Sequence, residues 1–156
     1  MHVADSARYQ IDEEGALGYA KLFPGGGHLT YLDSASTNIE GQPPYQYTNK
    51  TILEPFILTM FHQLKCLEIY HGEYRRRFDM KSKPPPSRLV THCLNYLRQT
   101  ILCRMDLTLE SVRSKRAQSD REYERVCRDW TKVYEAAEKN YAAYQRLCRS
   151  TGVECN

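Results

Sequence analysis

Two related segments of the chain combine histidine with cysteine at short spacing. In the first, His62 precedes Cys66 by four residues, and in the second, His92 directly precedes Cys93. A Leu follows each Cys, and both segments have an apolar helical pattern. Imidazole and thiolate are common ligands of transition metals, and imidazole is also a general base near neutral pH. The pair therefore looks like a duplicated metal-binding motif that has lost half of its ligands.

Helical geometry places each histidine away from the apolar stripe of its own segment. At about 100° per residue, His62 lies opposite the stripe that includes Leu64, and His92 lies opposite the stripe that includes Leu94. Mixed polar and apolar side chains on two helices suit a ligand pocket. The alternative is an ordinary exposed or hydrogen-bonded His on each helix. A shared site requires that the two imidazoles face one pocket.

The elements that would position these residues form a mainly α fold. Periodicity and capping signals predict three main helices, over residues 52–79, 87–104 and 119–149. Residues 1–50 have little periodicity, so they predict an irregular N-terminal wrap with a short strand at Leu29–Leu32. We expect a single domain spanning 1–156, with a helical body over 51–149 and a tail over 150–156.

Two patterns identify core positions within the predicted helices. His71 falls on the apolar stripe of the first helix, so we expect it to be buried and hydrogen-bonded. The third helix has an aromatic seam at steps of three and four residues, typical of a core or of a helix–helix interface. The members of this seam are Tyr123, Cys127, Trp130, Tyr134, Ala137, Tyr141, Tyr144 and Cys148.

Six cysteines allow 15 complete pairings. On one continuous helix, Cys127 and Cys148 would lie roughly 30 Å apart, and Cys93 and Cys103 roughly 15 Å apart. Both separations exceed the limit of about 7 Å between Cα atoms in a disulfide. The other pairings stay open. We interpret most of the cysteines as disulfide-bonded or buried thiols, and the chain has no Cys-x-x-Cys that would favour zinc.

Composition excludes some classes of protein. Hydrophobic residues make up 41% and charged residues 26% of the chain, as in soluble globular proteins. We find no nucleic-acid-binding module and no apolar run of the roughly 20 residues that span a bilayer. Six cysteines and the sequon Asn49-Lys50-Thr51 suit the secretory pathway. We therefore expect the lumen, or a membrane anchor outside this chain, and the cytosol if the chain is complete.

From His62 to Trp130 the sequence resembles the fungal ustiloxin-oxidase (UstYa-like) family, whose members carry two His-x-x-His-Cys motifs and tailor secondary metabolites. The matching blocks are His62–Leu67, His92–Gln99, Ile101–Cys103, Asp106–Glu110 and Cys127–Trp130. The resemblance implies that the two motifs bind copper. It also implies oxidative chemistry, such as ring closure, hydroxylation or dehydrogenation.

Several residues depart from the family pattern at the proposed ligands. Lys65 stands where the second His of the first motif belongs, and Leu89 replaces the leading His of the second motif. Arg104 and Arg125 occupy positions where the family often has His. A copper site that activates oxygen needs about three imidazole or comparable ligands, and a protonated Lys is not a ligand. We therefore predict no metal and no cofactor, with copper as the alternative.

These residues predict a copper-independent tailoring enzyme that cyclises a polyketide or peptide intermediate. The predicted catalytic residues are His62, Lys65 and His92, which would supply a base and hydrogen-bond donors. The predicted substrate-binding residues are Tyr96, Gln99 and Arg104. There are two alternatives, a copper-dependent oxidase and an inactive partner subunit that forms a homo- or heterodimer with a family homologue.

Overall fold

The computed structural model describes residues 2–3, 6–33, 53–78, 80–81, 84–107, 109 and 123–152. Its helices are α1 (Glu13–Ala20), α2 (Thr59–Phe78), α3 (Arg88–Cys103) and α4 (Thr131–Thr151), and a 3₁₀ turn spans Ala7–Tyr9. Its strands are β1 (His2–Val3), β2 (Leu29–Asp33), β3 (Leu53–Ile57) and β4 (Tyr123–Glu124). The predicted mainly α fold with a short antiparallel strand pair is confirmed for the described residues.

The contacts of the chain divide it into two compact units. The first unit contains residues 1–22 and 63–128, and the second contains residues 23–62 and 129–156. Each unit has one antiparallel strand pair, β1 with β4 in the first and β2 with β3 in the second. The sequence-based prediction of one domain stays a prediction.

In the first unit, α1 corrects the prediction that residues 1–50 form an irregular wrap. Asp12 caps this helix, because its Oδ1 accepts a hydrogen bond of 2.7 Å from the backbone N–H of Gly15. A Cβ atom at Gly15 would lie 1.7 Å from the carbonyl oxygen of Gln10. Only glycine therefore allows α1 to pack this closely against the preceding turn.

The buried histidine of the first helix is confirmed. His71 on α2 is 6% exposed, and its Nε2 lies 2.8 Å from the carbonyl oxygen of Gln10. Its ring also contacts the ring of Tyr19 on α1, with the centroids 4.8 Å apart. The imidazole satisfies a backbone carbonyl inside the first unit, so His71 has a structural role.

The predicted start of the first main helix is wrong. Residues 53–57 form β3, and α2 begins at Thr59 rather than at residue 52. β3 pairs antiparallel with β2, where Tyr31 lies opposite Pro55. Pairing with a distant strand overrides the local capping and periodicity signals that predict a helix from residue 52. The same pairing confirms the predicted strand at Leu29–Leu32.

In the second unit, α4 packs against β2. The side-chain Oδ1 of Asn140 accepts from the N–H of Tyr31 at 2.8 Å, and its Nδ2 donates to the Tyr31 carbonyl at 2.7 Å. The rings of Tyr31 and Tyr144 stack with their centroids 3.6 Å apart. The predicted aromatic seam therefore packs on β2 through Tyr144.

The predicted bounds of the third main helix are also wrong. Tyr123 lies in β4, and Cys127 precedes α4, which begins at Thr131. Trp130 is the N-cap residue of α4 and makes no capping hydrogen bond with its side chain. Asp129, one residue earlier, accepts a hydrogen bond of 3.2 Å from the backbone N–H of Thr131. The capping box at 119–122 lies outside the described residues. Gly152 ends the helix with φ 68°, the left-handed conformation that favours glycine.

Candidate functional site

A disulfide joins the two histidine–cysteine segments. Cys66 on α2 bonds to Cys93 on α3, with their Cα atoms 4.9 Å apart. Both residues are buried, at 0% and 1% exposure. The bond joins one pair of cysteines whose partners the sequence left open. It also holds α2 close to α3 at these two cysteines.

The remaining described cysteines differ in state. Cys103 and Cys127 are exposed free thiols, whereas Cys148 is disulfide-bonded. The predictions that Cys93 does not bond to Cys103, and that Cys127 does not bond to Cys148, are confirmed. The motif cysteines, Cys66 and Cys93, therefore have no thiolate to offer a metal ion.

Lys65 is held in an ion pair on its own helix. Its Nζ donates to Oε2 of Glu68 at 2.6 Å, one turn further along α2. The side chains of Lys65 and Glu68 are 37% and 26% exposed, so the pair lies at the surface of the first unit. An ammonium in this arrangement can act as a hydrogen-bond donor to a substrate oxygen, but it is not a metal ligand.

His92 lies on the exposed face of α3. Its ring contacts the ring of Tyr96 one turn later, with the centroids 6.2 Å apart and the planes at 15°. Gln99 is exposed on the same helix, whereas Tyr96 is half-buried. Arg104 is the C-cap residue of α3, where its backbone N–H donates to the Thr100 carbonyl at 3.1 Å. The predicted substrate-binding residues thus follow His92 along one helix.

His62 occupies the first turn of α2 and is half-buried. Its backbone N–H donates to the carbonyl of Leu58 at 3.0 Å. It belongs to the second unit, whereas Lys65 and His92 belong to the first. The pocket that His62 and His92 were expected to share stays a prediction.

The described donors do not fit the copper site that the resemblance implies. Nowhere in the described part of the chain do three His, Cys, Asp or Glu side chains cluster in a way that could hold a metal ion. Cys66 and Cys93 are consumed by their disulfide, and Lys65 is paired with Glu68. A copper centre that activates oxygen needs more than the two motif histidines.

One feature that sequence reasoning missed is a tyrosine cluster in the second unit. Tyr31 is 5% exposed and lies against Tyr144. Burial raises the pKa of the Tyr31 hydroxyl above 10.0, and the nearby hydroxyls of Tyr144 and Tyr141 raise it further. The aromatic seam signalled the α4 members of this cluster, but it did not indicate Tyr31 as their partner.

Comparisons with known proteins point to one family. The model of the family described as mycotoxin biosynthesis protein UstYa matches residues 36–140. The UstYa family oxidase phomYb of Diaporthe leptostromiformis is 29% identical over 94 residues, which cover 58% of this chain and 38% of the relative. The UstYa family oxidase phomYc′ of the same fungus is 31% identical over 96 residues, which cover 53% of this chain and 38% of the relative. No solved structure matches the chain.

Proposed function

Because the chain belongs to the UstYa family of mycotoxin biosynthesis proteins, we propose that it takes part in an oxidative step of fungal secondary-metabolite tailoring. The names of the relatives support oxidation rather than the cyclisation that the sequence predicts as the main activity. The matched segment covers only 38% of each relative. The substrate we propose is a polyketide or peptide intermediate.

The chain acts in this step together with a family homologue. The observation that carries the proposal is the Cys66–Cys93 disulfide, which holds the two motif segments side by side while leaving two motif histidines and no motif thiolate. Such a frame can present His92, and in the described part of the chain no cluster of donors completes a metal site. A homologue with complete motifs would supply the oxidative centre, and this chain would supply binding and orientation.

Co-expression with a family homologue from the same fungus tests the proposal. We expect the two chains to co-purify and, with dioxygen as the oxidant that is reduced in the step, to convert the intermediate to a product that has lost hydrogen or gained oxygen. We expect His92→Ala to lower turnover by the pair about tenfold or more. His28→Ala, a histidine in the loop before β2, is the matched control and should leave turnover unchanged. Oxidation by this chain alone would refute the need for a homologue.

A second candidate, metal-independent cyclisation, is favoured by Lys65 and its ion pair with Glu68. In this scheme His92 moves protons, Lys65 donates to a carbonyl or enolate oxygen, and Tyr96, Gln99 and Arg104 bind the substrate. The test incubates the metal-stripped chain alone with the intermediate. Cyclisation gives a product of unchanged mass or one that has lost water. Lys65→Met should abolish it, whereas Lys139→Met, exposed on α4, should not.

We also propose that the full-length protein resides in the secretory-pathway lumen or is membrane-anchored. The Cys66–Cys93 disulfide supports an oxidising compartment. Among the helices described here, none is long and apolar enough to cross a bilayer. The sequon at Asn49 lies outside the described residues. A shift in gel mobility on glycosidase treatment, absent in Asn49→Gln, is the expected result.

A further inference from the structure

An open cavity of about 480 Å³ lies within the second unit. β2, the start of α2 and the first turns of α4 line it, and most of its wall is apolar. The apolar side chains are those of Leu32, Leu58, Phe61, Val133, Ala136 and Ala137. The volume lies within the range of roughly 300–1,000 Å³ that small-molecule sites occupy. Apolar parts of a ligand would therefore find a surface to cover here.

The polar groups of the cavity differ in what they can offer. Asn140 uses its amide oxygen and nitrogen on the backbone of Tyr31, so it supports the wall rather than a ligand. Thr30 supplies a hydroxyl from β2. Lys132 is the charged residue of the lining, and its side chain is 78% exposed. A cation therefore lies where the apolar wall meets solvent.

The nearby carboxylate of Asp129 forms only a long ion pair with the Lys132 ammonium. Oδ2 of Asp129 lies 3.7 Å from Nζ of Lys132, and Oδ1 of Asp129 accepts from the backbone N–H of Thr131. Asp129 is 52% exposed at the start of α4. A solvent-exposed pair of this length is weak, so the ammonium can turn to a second anion. The α4 N-terminus also favours negative charge near Lys132.

We propose that this cavity binds an organic carboxylate, with its apolar chain or ring against Leu58 and Ala137 and its carboxylate at Lys132. The inference rests on the proposed function, because an acidic polyketide-type intermediate has this amphiphilic chemistry. It places the apolar part of the substrate beside Leu58, whose carbonyl accepts from the backbone N–H of the predicted catalytic residue His62. Phe61 is fully buried, and its ring meets that of Tyr134 at 5.2 Å.

Calorimetric titration with decanoate tests the proposal without any turnover. We expect saturable binding to the full chain, and weaker binding of 1-decanol, which has the same chain length and no charge. Lys132→Met should weaken decanoate about two- to fivefold and remove its advantage over decanol. The fluorescence of Trp130, the single tryptophan, gives a second readout of decanoate binding, since its ring lies 5.6 Å from that of Tyr134.

Two substitutions of lining residues, with one control on the same helix, test the location of the cavity. Ala137→Phe fills the wall and should weaken decanoate about tenfold or more. Ala143→Phe adds the same ring on the exposed face of the same helix and should bind as the wild type does. Leu58 lies on the rim of the cavity and is 43% exposed. The Leu58→Asp variant should therefore fold normally and also weaken decanoate binding.

Three results would overturn the inference: no binding of decanoate to the wild type, unchanged binding by both Ala137→Phe and Leu58→Asp, or equal affinity for decanol. Failure of the proposed function is distinguishable from these outcomes. Decanoate binding with the expected variant pattern, combined with no oxidised product from the co-expressed chains, supports the cavity and refutes the oxidative role alone.

Discussion

The two units of this chain stabilise their helices by different means. In the first unit, α3 buries Val90 and Cys93, while Leu94 and Ile101 on its apolar stripe are 48% and 66% exposed. The covalent bond to Cys66 compensates for this limited burial. In the second unit, ring packing and paired hydrogen bonds hold α4 on β2, although Cys148 near the end of α4 is also disulfide-bonded.

The difference lies in the kind of contact that each helix makes. Apolar burial contributes roughly 25 cal/mol per Å², and both helices bury few residues completely, Val90 and Cys93 on α3 and Cys148 on α4. A disulfide stabilises mainly by restricting the unfolded chain, and it requires only the two cysteines to be close. The α4 contacts instead use Tyr144 and Asn140 against Tyr31, which demands a matched surface. Mutations should therefore act differently in the two units.

The largest effect should come from the packed unit. Phe61→Ala removes a fully buried ring that meets Tyr134 edge to face, and we expect a loss of about 3–5 kcal/mol in the free energy of unfolding. Urea denaturation followed by Trp130 fluorescence measures it. Phe78→Ala, at a 74% exposed position of α2, should cost less than about 0.5 kcal/mol. Similar losses for both variants would show that burial does not set the difference.

The first unit should lose slightly less free energy of unfolding when its Cys66–Cys93 disulfide is removed. The Cys66→Ala, Cys93→Ala double variant opens a link between residues 27 apart, and we expect a loss of about 3 kcal/mol. Hydrogen exchange should show faster exchange in α2 and α3. The matched control, Cys103→Ala with Cys127→Ala, removes two exposed free thiols and should leave exchange unchanged. Unaltered stability of the first double variant would contradict a covalent basis for this unit.

A smaller loss of stability is expected when the side chain that joins α4 to β2 is removed. Asn140→Ala removes two part-buried hydrogen bonds to the backbone N–H and C=O of Tyr31, which should cost about 2 kcal/mol. Urea denaturation of the second unit measures this loss. Asn95→Ala, on the exposed face of α3, is the control and should change stability by less than about 0.5 kcal/mol. If the two Asn variants behave alike, the anchor carries no stability.

The smallest effect concerns alkaline pH. The raised pKa of Tyr31 means that the folded state holds this proton more tightly than the unfolded state does. Its contribution to stability is therefore fully present below pH 10.0, and it is lost as the pH rises through the folded-state pKa. Tyr31→Phe should reduce the loss of stability above pH 10.0, measured as urea midpoints along a pH series. An unchanged alkaline slope would count against this cause.

Sequence signals succeeded where they were local. The second main helix was predicted over 87–104 and spans Arg88–Cys103, because Ser87 caps it by accepting from the N–H of Val90 at 3.2 Å. The burial of His71 also followed from its place on a helical stripe. By contrast, the sequence extends the first main helix into β3, since the residues that pair with β3 lie 20 to 28 positions away in the sequence.

The residues of the candidate site also divide into those that local sequence signals identified and those that they missed. The sequence identified His62, Lys65 and His92 and the loss of motif ligands, since these depend on residue type and spacing. It did not identify Glu68 as the partner of Lys65, nor the cavity in the second unit. An ion pair depends on side-chain conformation, and a cavity depends on three elements meeting.

By itself, the sequence determined the residue types at the two motifs, the bounds of α3 and the mainly helical class, because capping and periodicity act within a few residues. Only the tertiary structure decided that Cys66 bonds to Cys93 and that Asn140 anchors Tyr31. Those pairs lie 27 and 109 residues apart. Many partners are compatible with the sequence at such separations, and packing of the whole unit selects one.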